Sequence, residues 1–248
     1  MNHPVEVQSL SVSYGPLPVL TNLSVTVRAR EFVAIVGGSG SGKTTFLNAL
    51  AGFIAHTGQI RMPHRLGVVF QDHSVFPWMT VEQNIAFGLN NLGEPERRAV
   101  VERHLRLIQM EEKRRCYPAE LSGGQVQRVG IARALAPKPE LVLMDEPYAS
   151  LDRPTRDKMQ SWLLNIWEQE QITILFVTHD LEEALYLSDR ILILRNGHMQ
   201  DDVPVPFGRP RSEDIKFSTE FIRLKRELYE AINDDSASAD TGRSRLNG

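Results

Sequence analysis

The sequence contains little cysteine, no long apolar run and no leader-like start. Its single cysteine, Cys116, cannot form an internal disulfide, which is typical of proteins from a reducing compartment. The longest unbroken apolar run, Phe32 to Val36, has five residues, whereas a helix that crosses a bilayer needs about 20. Residues 1–4 show neither the basic nor the apolar region of a secretory signal. We therefore expect a cytoplasmic protein that reaches a membrane only through a partner.

The sequence also lacks an excess of basic charge. Its 28 Lys and Arg residues are outweighed by 31 Asp and Glu, which gives a net charge of −3 and predicts no nucleic acid partner. Apolar residues make up 42% of the 248 residues and charged residues 24%, as is ordinary for a globular protein. Collagen-like, coiled-coil and wholly disordered architectures are therefore excluded.

Two kinds of strand pattern are present. Residues 5–27 alternate apolar and polar side chains around Gly15-Pro16, which predicts an antiparallel β region at the N-terminus. Later runs are continuously apolar, as in strands buried on both faces of a parallel sheet: Phe32–Val36, Leu66–Phe70, Leu141–Met144, Ile172–Val177 and Ile191–Leu194. Helical patterns lie between them, at Thr44–Ala51, Thr155–Trp167 and Leu181–Leu187. This alternation predicts an α/β fold in which helices flank a mostly parallel sheet.

The block between Trp78 and Pro137 differs from the rest. It shows no buried-strand pattern, and helical patterns cover Glu96–Met110 and Ser122–Ala136. We interpret it as a helical subdomain, at about residues 76–137, inserted into the α/β core.

The C-terminal part of the chain has a separate character. The core is predicted to span residues 1–208. Arg209-Pro210-Arg211 is expected to open a C-terminal helix over residues 209–232, in which Phe217, Phe221, Leu224 and Leu228 follow helical spacing. The polar composition of residues 233–248 predicts a flexible tail.

A glycine-rich loop follows the first continuously apolar run and opens a helical pattern. It fits the phosphate-loop pattern G-x-x-x-x-G-K-[ST] with Gly37, Gly38, Ser39, Gly40, Ser41, Gly42, Lys43 and Thr44. Glycines let successive backbone N–H groups converge on phosphate oxygens, and the helix N-terminus adds partial positive charge. Lys43 can reach the β- and γ-phosphates and the Thr44 hydroxyl can bind Mg²⁺. The loop therefore predicts a nucleoside triphosphate site.

A second motif supplies acidic groups. The apolar run Leu141–Met144 ends in Asp145-Glu146, at the carboxyl end of a strand, where ligands bind in open α/β sheets. Asp145 is placed to hold Mg²⁺, and Glu146 to polarise an attacking water as general base. The alternative is that one of the two carboxylates caps the turn that Pro147 predicts.

A third motif combines a helix-capping serine with two glycines. In Ser122-Gly123-Gly124-Gln125 the serine is an expected N-cap, and the glycines expose the N–H groups of the first helical turn. This is a second anion site, about 80 residues after the first. The spacing leaves two arrangements open: the fold brings both sites to one phosphate, or two chains each lend one site to the other.

The phosphate loop, Leu121-Ser122-Gly123-Gly124-Gln125 and Leu141–Pro147, in that order, resemble the nucleotide-binding subunit of an ATP-binding cassette (ABC) transporter. The resemblance covers about residues 5–208. Four further positions match the family: Tyr14 for adenine stacking, Gln71 for Mg²⁺ contact, Asp152 in a loop that crosses to the partner subunit, and His179 for γ-phosphate contact.

Each of those four positions has a simpler interpretation when it is taken alone. Tyr14 could pack on the N-terminal sheet, Gln71 could be an ordinary polar residue at a strand end, and Asp152 could cap the helix that begins near Pro154. His179 could be a structural histidine. The joint occurrence in one chain order favours the family reading.

The resemblance implies a set of ligands and roles. The cofactors are ATP and Mg²⁺, with Thr44, Gln71 and Asp145 at the metal and Glu146, His179 and Gln71 in catalysis. The nucleotide contacts are Tyr14, residues 37–44 of the phosphate loop, Thr45, Ser122, Gly123, Gly124, Gln125 and Asp152. Two ATP molecules are sandwiched in a head-to-tail dimer, for which a second copy of the chain is the expected partner.

The resemblance also implies membrane partners. A transmembrane permease is expected to dock near Phe76-Pro77-Trp78, although burial of these aromatics in the helical subdomain is the alternative. A periplasmic or extracellular solute-binding protein would act indirectly. The subunit would then be peripheral, on the cytoplasmic face of the cell membrane.

Four segments are similar to bacterial importer ATPases for nitrate, sulfonate and taurine: residues 77–81, Asn84–Leu89, Thr178–Ala184 and Arg209-Pro210-Arg211. Gly38, Ser41 and Tyr148-Ala149 depart from that group's usual residues, which weakens any assignment of the solute. Alternatives are an importer ATPase for another small solute or a soluble ABC ATPase outside transport. A phosphoryl-transferring kinase would have no use for Ser122-Gly123-Gly124.

Overall fold

The computed structural model describes residues 4–70 and 75–233. The strands are β1 (Val5–Tyr14), β2 (Leu17–Val27), β3 (Phe32–Val36), β4 (Thr57–Arg61), β5 (Leu66–Val69), β6 (Leu141–Asp145), β7 (Thr173–Val177), β8 (Arg190–Arg195) and β9 (His198–Pro204). The helices are α1 (Lys43–Leu50), α2 (Val81–Ala86), α3 (Glu94–Leu107), α4 (Gly123–Leu135), α5 (Arg153–Glu170), α6 (Leu181–Leu187) and α7 (Thr219–Asn233). Short 3₁₀ turns lie at residues 111–113, 118–120 and 213–217.

The strands form two sheets. An antiparallel sheet has the order β2-β1-β4, and a second sheet has the order β5-β6-β7-β3-β8-β9. In the second sheet every pair is parallel except β8 with β9. Strands β3, β6 and β7 are buried along their whole length, as their continuously apolar sequences predict. The predicted α/β fold with an N-terminal antiparallel sheet is confirmed.

Three apolar clusters hold these layers together. One lies between the parallel sheet and α5, α6 and α7, and a second fills the space between the two sheets and α1. The third joins α2, α3 and α4, and it includes Val81, Leu105 and Val129. No strand lies within residues 75–140, all of which the structure describes. The boundaries of the helical subdomain, at about residues 76–137, stay a prediction.

Some strands differ from the sequence-based expectation. Strand β5 is an edge strand whose residues are alternately buried and half-buried, so it is not covered on both faces. Strands β4 and β9 have mostly exposed, polar residues and carry no apolar pattern that would have predicted them. Both pair with one neighbour only, at a sheet edge, where polar residues are tolerated.

The C-terminal helix begins later than predicted. The expectation of a helix over 209–232 is wrong at its start, because α7 begins at Thr219. The Ser218 hydroxyl accepts a hydrogen bond from the Phe221 N–H (3.2 Å), as an N-cap does. Of the predicted tail, Asn233 ends α7 and residues 234–248 lie outside the described residues.

Two arginines explain why residues 209–211 are not helical. Arg211 is buried and donates hydrogen bonds to the carbonyls of Leu185, Tyr186 and Ser188 at 2.7–3.0 Å, at the end of α6. Arg209 donates to the Asp189 carboxylate (2.9 Å), and its guanidinium lies 4.2 Å from the centre of the Trp167 ring. Arg211 also donates to the Phe207 carbonyl (2.9 Å), so these contacts tie the segment both to the end of α6 and to the chain just before it. Among the described residues, no helix is both long enough and apolar enough to span a membrane.

We expect Arg211→Ala to lower the free energy of unfolding by about 3 kcal/mol, because several buried carbonyls lose a charged donor. Urea unfolding followed by circular dichroism measures this. The control is Arg226→Ala, which removes an exposed pair with Glu230 inside α7 and should change stability by less than about 0.5 kcal/mol. Equal midpoints for Arg211→Ala and the wild type would show that the anchor does not stabilise the fold.

Candidate functional site

The phosphate loop connects the centre of the parallel sheet to α1. Strand β3 lies between β7 and β8, and the loop leaves its carboxyl end. Gly42 caps α1 in a left-handed conformation (φ 103°), which glycine adopts without steric cost. A Cβ added at Gly42 would lie 2.6 Å from the Leu20 Cδ2, so β2 presses directly on the loop. A Cβ at Gly37 would lie 2.1 Å from the Leu194 carbonyl oxygen.

Lys43 is the cation of this loop. Its side chain is buried, and Nζ donates hydrogen bonds to the carbonyl oxygens of Gly37 (2.9 Å) and Gly38 (3.0 Å). Burial lowers the pKa of Lys43, while the nearby carboxylates of Glu146 and Asp145 raise it. The ammonium group is therefore held inside the curve of the loop, where it can meet phosphate oxygens.

Asp145 ends β6 beside Thr44. Burial raises the pKa of Asp145, and a hydrogen bond with the Thr44 side chain and the charge of Lys43 oppose that effect. Its Oδ1 atom is buried and has no hydrogen-bond partner. A hydroxyl next to a carboxylate with a free oxygen fits Mg²⁺, which binds one or two carboxylates and completes its shell with water and substrate phosphates. The described residues contain no group of three or more His, Cys, Asp or Glu that could hold a metal alone.

Glu146 and His179 form a hydrogen-bonded pair. Glu146 Oε2 lies 2.9 Å from His179 Nδ1. The backbone of Glu146 is in the left-handed region (φ 42°), and its N–H donates to the Val177 carbonyl (2.9 Å). Such a conformation costs a non-glycine residue about 1–3 kcal/mol and persists where its surroundings fix it. This backbone conformation directs the Glu146 carboxylate towards the loop after β7, which carries His179.

Lys43, Thr44, Glu146 and His179 border one cavity of about 510 Å³, a volume typical of small-molecule sites, whereas Asp145 is not among its lining residues. Its lining residues are Tyr14, Val19, Ser39, Gly40, Gly42, Lys43, Thr44, Thr45, Glu146 and His179. Tyr14, the last residue of β1, is 52% exposed, so its ring is not buried against the N-terminal sheet. Val19 is a lining residue that no motif indicated. The predicted Gln71 lies outside the described residues.

The segment Ser122–Gln125 does not border that cavity. Ser122 caps α4: its hydroxyl accepts from the Gln125 N–H (3.4 Å), and Gln125 Oε1 accepts from the Ser122 N–H (3.1 Å). The segment instead contacts the start of α5, because a Cβ at Gly124 would lie 2.8 Å from Thr155 Cγ2. Within one chain, therefore, the two predicted anion sites are not brought to the same cavity.

Asp152 is the N-cap of α5. Its carboxylate accepts hydrogen bonds from the N–H (3.0 Å) and the hydroxyl (3.2 Å) of Thr155, and the side-chain hydrogen bond lowers the pKa of Asp152 most. Asp152 is exposed and does not border the cavity. The capping interpretation that the sequence left open therefore describes its contacts within the chain.

A cluster of aromatic side chains lies at the surface of the helical subdomain. Trp78 is 69% exposed, and the ring centres of Phe76 and Phe87 are 4.4 Å apart. The Arg133 guanidinium lies 4.7 Å from the centre of the Phe76 ring. Next to them is a groove of about 1000 Å³ whose lining includes Trp78, Met79, Phe87, Arg97, Arg98 and Arg115. Trp78 is therefore not buried in the helical block, contrary to the alternative that the sequence left open.

Fold and site together define a phosphate-loop nucleotide-binding protein. Residues 20–149 match the family described as ABC transporter. The chain belongs to the ABC transporter ATPase family, which hydrolyses ATP to power transport, and it is an ATP-binding subunit of that class.

Three similar proteins illustrate the relationship. The aliphatic sulfonates import ATP-binding protein SsuB of Granulibacter bethesdensis is 41% identical, with 90% of this chain and 92% of that protein covered. The nitrate import ATP-binding protein NrtD of Synechococcus elongatus is 39% identical, with 88% and 86% covered. The solved structure of CbiO1 from Clostridium perfringens, described as part of the ABC transporter complex cbiONQ, matches with a TM-score of 0.78 at 25% identity, covering 92% and 96%.

We expect Gly42→Ala to lower the free energy of unfolding by about 1–3 kcal/mol, since alanine would be strained at φ 103° and would overlap Leu20. Thermal or urea unfolding measures the change. The control is Gly38→Ala in the same loop, where a Cβ meets nothing within 4 Å, so a change within about 0.5 kcal/mol is expected. If both variants were equally stable, the contact of β2 with the loop would not constrain it.

Proposed function

We propose that two copies of this chain bind and hydrolyse two ATP molecules at their interface and thereby drive solute import through a permease. One observation carries the proposal: Lys43, Glu146 and His179 border one cavity, whereas the Ser122–Gln125 segment is directed elsewhere in the same chain. A complete site then needs the segment of a partner. An identical copy supplies it with twofold symmetry, the commonest arrangement in soluble oligomers.

ATP would lie along the phosphate loop with its adenine on the exposed ring of Tyr14. The loop N–H groups and Lys43 bind the phosphates, and Ser39, Gly40 and Thr45 line the same cavity. The partner contributes the first-turn N–H groups of α4 and the Ser122 hydroxyl. Gln125 belongs to that partner surface because it bonds Ser122 at the start of α4, and Asp152 because it caps α5 through Thr155, which Gly124 faces.

Thr44 and Asp145 fit Mg²⁺, and Gln71 is the further ligand that we propose. When bound, Mg²⁺ neutralises charge on the β- and γ-phosphates. The buried Oδ1 of Asp145, which has no partner in the chain, is the atom that supports this assignment.

Hydrolysis would use the Glu146–His179 pair. The Glu146 carboxylate accepts a proton from water, whose oxygen attacks the γ-phosphorus. The bond from that phosphorus to the β,γ-bridging oxygen breaks, and ADP and phosphate result. Since His179 Nδ1 contacts Glu146 at 2.9 Å, the second ring nitrogen is the one that can reach the γ-phosphate. Lys43 stabilises the negative charge that this transfer moves onto the leaving oxygen.

The groove beside Trp78 is the proposed permease site. Its exposed Trp78 and Phe87 suit a short helix of the permease with apolar side chains. Closure of the two chains on ATP would move this groove and the docked permease. The subunit would then lie on the cytoplasmic face of the cell membrane, and a solute-binding protein would contact the permease only.

The proposed solute is a small oxyanion or an organosulfonate. This rests on the relatives whose names state nitrate and aliphatic sulfonate import, which match over most of the chain. Taurine belongs to the same chemical class. The solute contacts would lie in the permease and the binding protein.

We expect Glu146→Gln to abolish ATP hydrolysis, because an amide cannot accept the proton from water, while ATP binding and closure persist. Steady-state phosphate release should fall at least about a hundredfold. Size-exclusion chromatography with ATP should show a stable dimer. The control is Glu140→Gln, just before the opposite end of the same strand, where only an exposed pair with Arg65 is lost.

Unchanged hydrolysis by Glu146→Gln would mean that another group is the base. A variant that binds ATP yet stays monomeric at every nucleotide concentration would contradict the shared site.

We expect the double variant Phe76→Ser/Trp78→Ser to lose assembly with the permease, while its own ATPase rate stays within about twofold, because both rings lie outside the nucleotide cavity. Co-purification of the membrane complex measures assembly. The control is Phe217→Ser, which removes an equally exposed aromatic (79% exposed) outside this groove. Intact, transport-coupled complexes from the double variant would place the permease contact on another surface.

A further inference from the structure

Arg156 on α5 joins two loops that the motifs treat separately. Its Nη2 donates a hydrogen bond to the Leu151 carbonyl oxygen (3.1 Å), in the turn before α5. Its Nη1 donates to Asp180 Oδ2 (3.3 Å), and its Nε lies 3.6 Å from Glu183 Oε1, both at the start of α6. Two nitrogens of the guanidinium thus donate hydrogen bonds that link α6 to the turn, whereas the buried Nε makes only the charge contact with Glu183.

The α6 end of this bridge fixes the backbone on both sides of His179. The Asp180 carboxylate caps α6 by accepting from the N–H groups of Glu182 (2.8 Å) and Glu183 (3.4 Å). The buried Glu183 carboxylate accepts from the Thr178 hydroxyl (2.7 Å), which itself accepts from the Asp180 N–H (3.0 Å). His179 therefore lies between two residues whose positions depend on this network.

The α5 end of the bridge carries the segment Ser122–Gln125. A Cβ at Gly123 would lie 3.4 Å from Leu151 Cδ2, and one at Gly124 would lie 2.8 Å from Thr155 Cγ2. Leu151 is the residue whose carbonyl Arg156 binds, and Thr155 precedes Arg156 in α5. The segment therefore rests directly on the turn that Arg156 holds.

Both ends meet beneath the catalytic pair. A small, largely enclosed cavity of about 10 Å³ lies there, and its lining residues are Glu146, Ala149, Arg156, Thr178, His179, Asp180 and Glu183. Arg156 is thus next to the pair without bordering the larger nucleotide cavity. Its place suits a group that acts through His179 and not on ATP.

We propose that Arg156 is a positioning residue that holds the His179 loop in a fixed position relative to the turn at Leu151. As a result, the segment Ser122–Gln125 and the Glu146–His179 pair of one chain move together. The inference rests on the proposed roles of Glu146 and His179. Charged pairs of this kind contribute little net stability once desolvation is counted, but the planar guanidinium fixes the direction of every bond it makes. A shift of about 1 Å in a catalytic group can cost about a hundredfold in rate.

The test uses the full chain with ATP and Mg²⁺. We expect Arg156→Gln to lower kcat at least about tenfold while KM for ATP changes less than about twofold. In the Glu146→Gln background it should leave the ATP-dependent dimer intact. The control is Arg153→Gln on the same helix, which also pairs with α6, through Glu182 (3.3 Å), but is 75% exposed and should keep the wild-type kcat. Loss of dimer and ATP binding in parallel with kcat would overturn the proposal in favour of a general structural role.

Two further variants separate geometry from charge. Arg156→Lys keeps the charge but offers only one nitrogen to acceptors at the turn before α5 and at the start of α6, so this variant should fold and still have a low kcat. Full activity of this variant would show that the bridge between the two elements is not needed. In the His179→Ala background, Arg156→Gln should lower kcat by less than a further threefold, since both changes act through the same histidine. If the two substitutions instead reduced kcat by the product of their separate effects, the link to His179 would be overturned. Wild-type kcat in Arg156→Gln, beside an inactive Glu146→Gln, would reject this inference alone and leave the proposed function standing.

Discussion

The pairing of β7 with both of its neighbours determines the geometry of the site. Val177, the last residue of β7, is the register partner of Ile35 in β3 and of Asp145 in β6. Its carbonyl accepts from the Glu146 N–H, and the next residue, Thr178, donates to the Ile35 carbonyl (3.2 Å). Because all three strands are parallel, the phosphate loop, the acidic pair and the His179 loop all follow the carboxyl ends of the strands, on the same side of the sheet. A slip of one residue would move every side chain of a strand to the opposite face of the sheet, where it would meet a different apolar cluster, so packing on both faces fixes the register of the candidate site.

Much of this arrangement could be predicted from sequence, because the chemistry is carried by local patterns. A continuously apolar run before Gly37 and another before Asp145 identify parallel strands and place both motifs at their carboxyl ends. The link between Glu146 and His179 is non-local, and only family resemblance indicated it. The start of α7 at Thr219 is not predictable from local sequence, because the contacts that hold residues 209–211 out of the helix are with the residues that follow α6, which are distant in sequence. Exposed edge strands such as Thr57–Arg61 carry no apolar period to read.

The polar groups of the site differ in whether they have hydrogen-bond partners within the chain. This difference agrees with the roles proposed for them. Lys43 bonds loop carbonyls and Glu146 bonds His179, so these two are held in place before substrate arrives. Asp145 keeps a buried oxygen without a partner, at a cost that a native fold tolerates where a ligand is to be bound. Ser122 is satisfied by its own capping box with Gln125, which fixes the start of α4 within the single chain.

A site divided between chains makes hydrolysis depend on association, provided that each chain holds its two halves in a fixed relation. The packing of Gly124 against Thr155 and the contacts of Arg156 supply such a relation, since they form an unbroken path from the start of α4 to the start of α6. A flexible connection would let the segment Ser122–Gln125 engage a partner while His179 stayed out of place. The many polar contacts between α5 and α6 are therefore better explained by the need to hold the two helices in a fixed relative position than by stability. Ion pairs of this kind add little to stability.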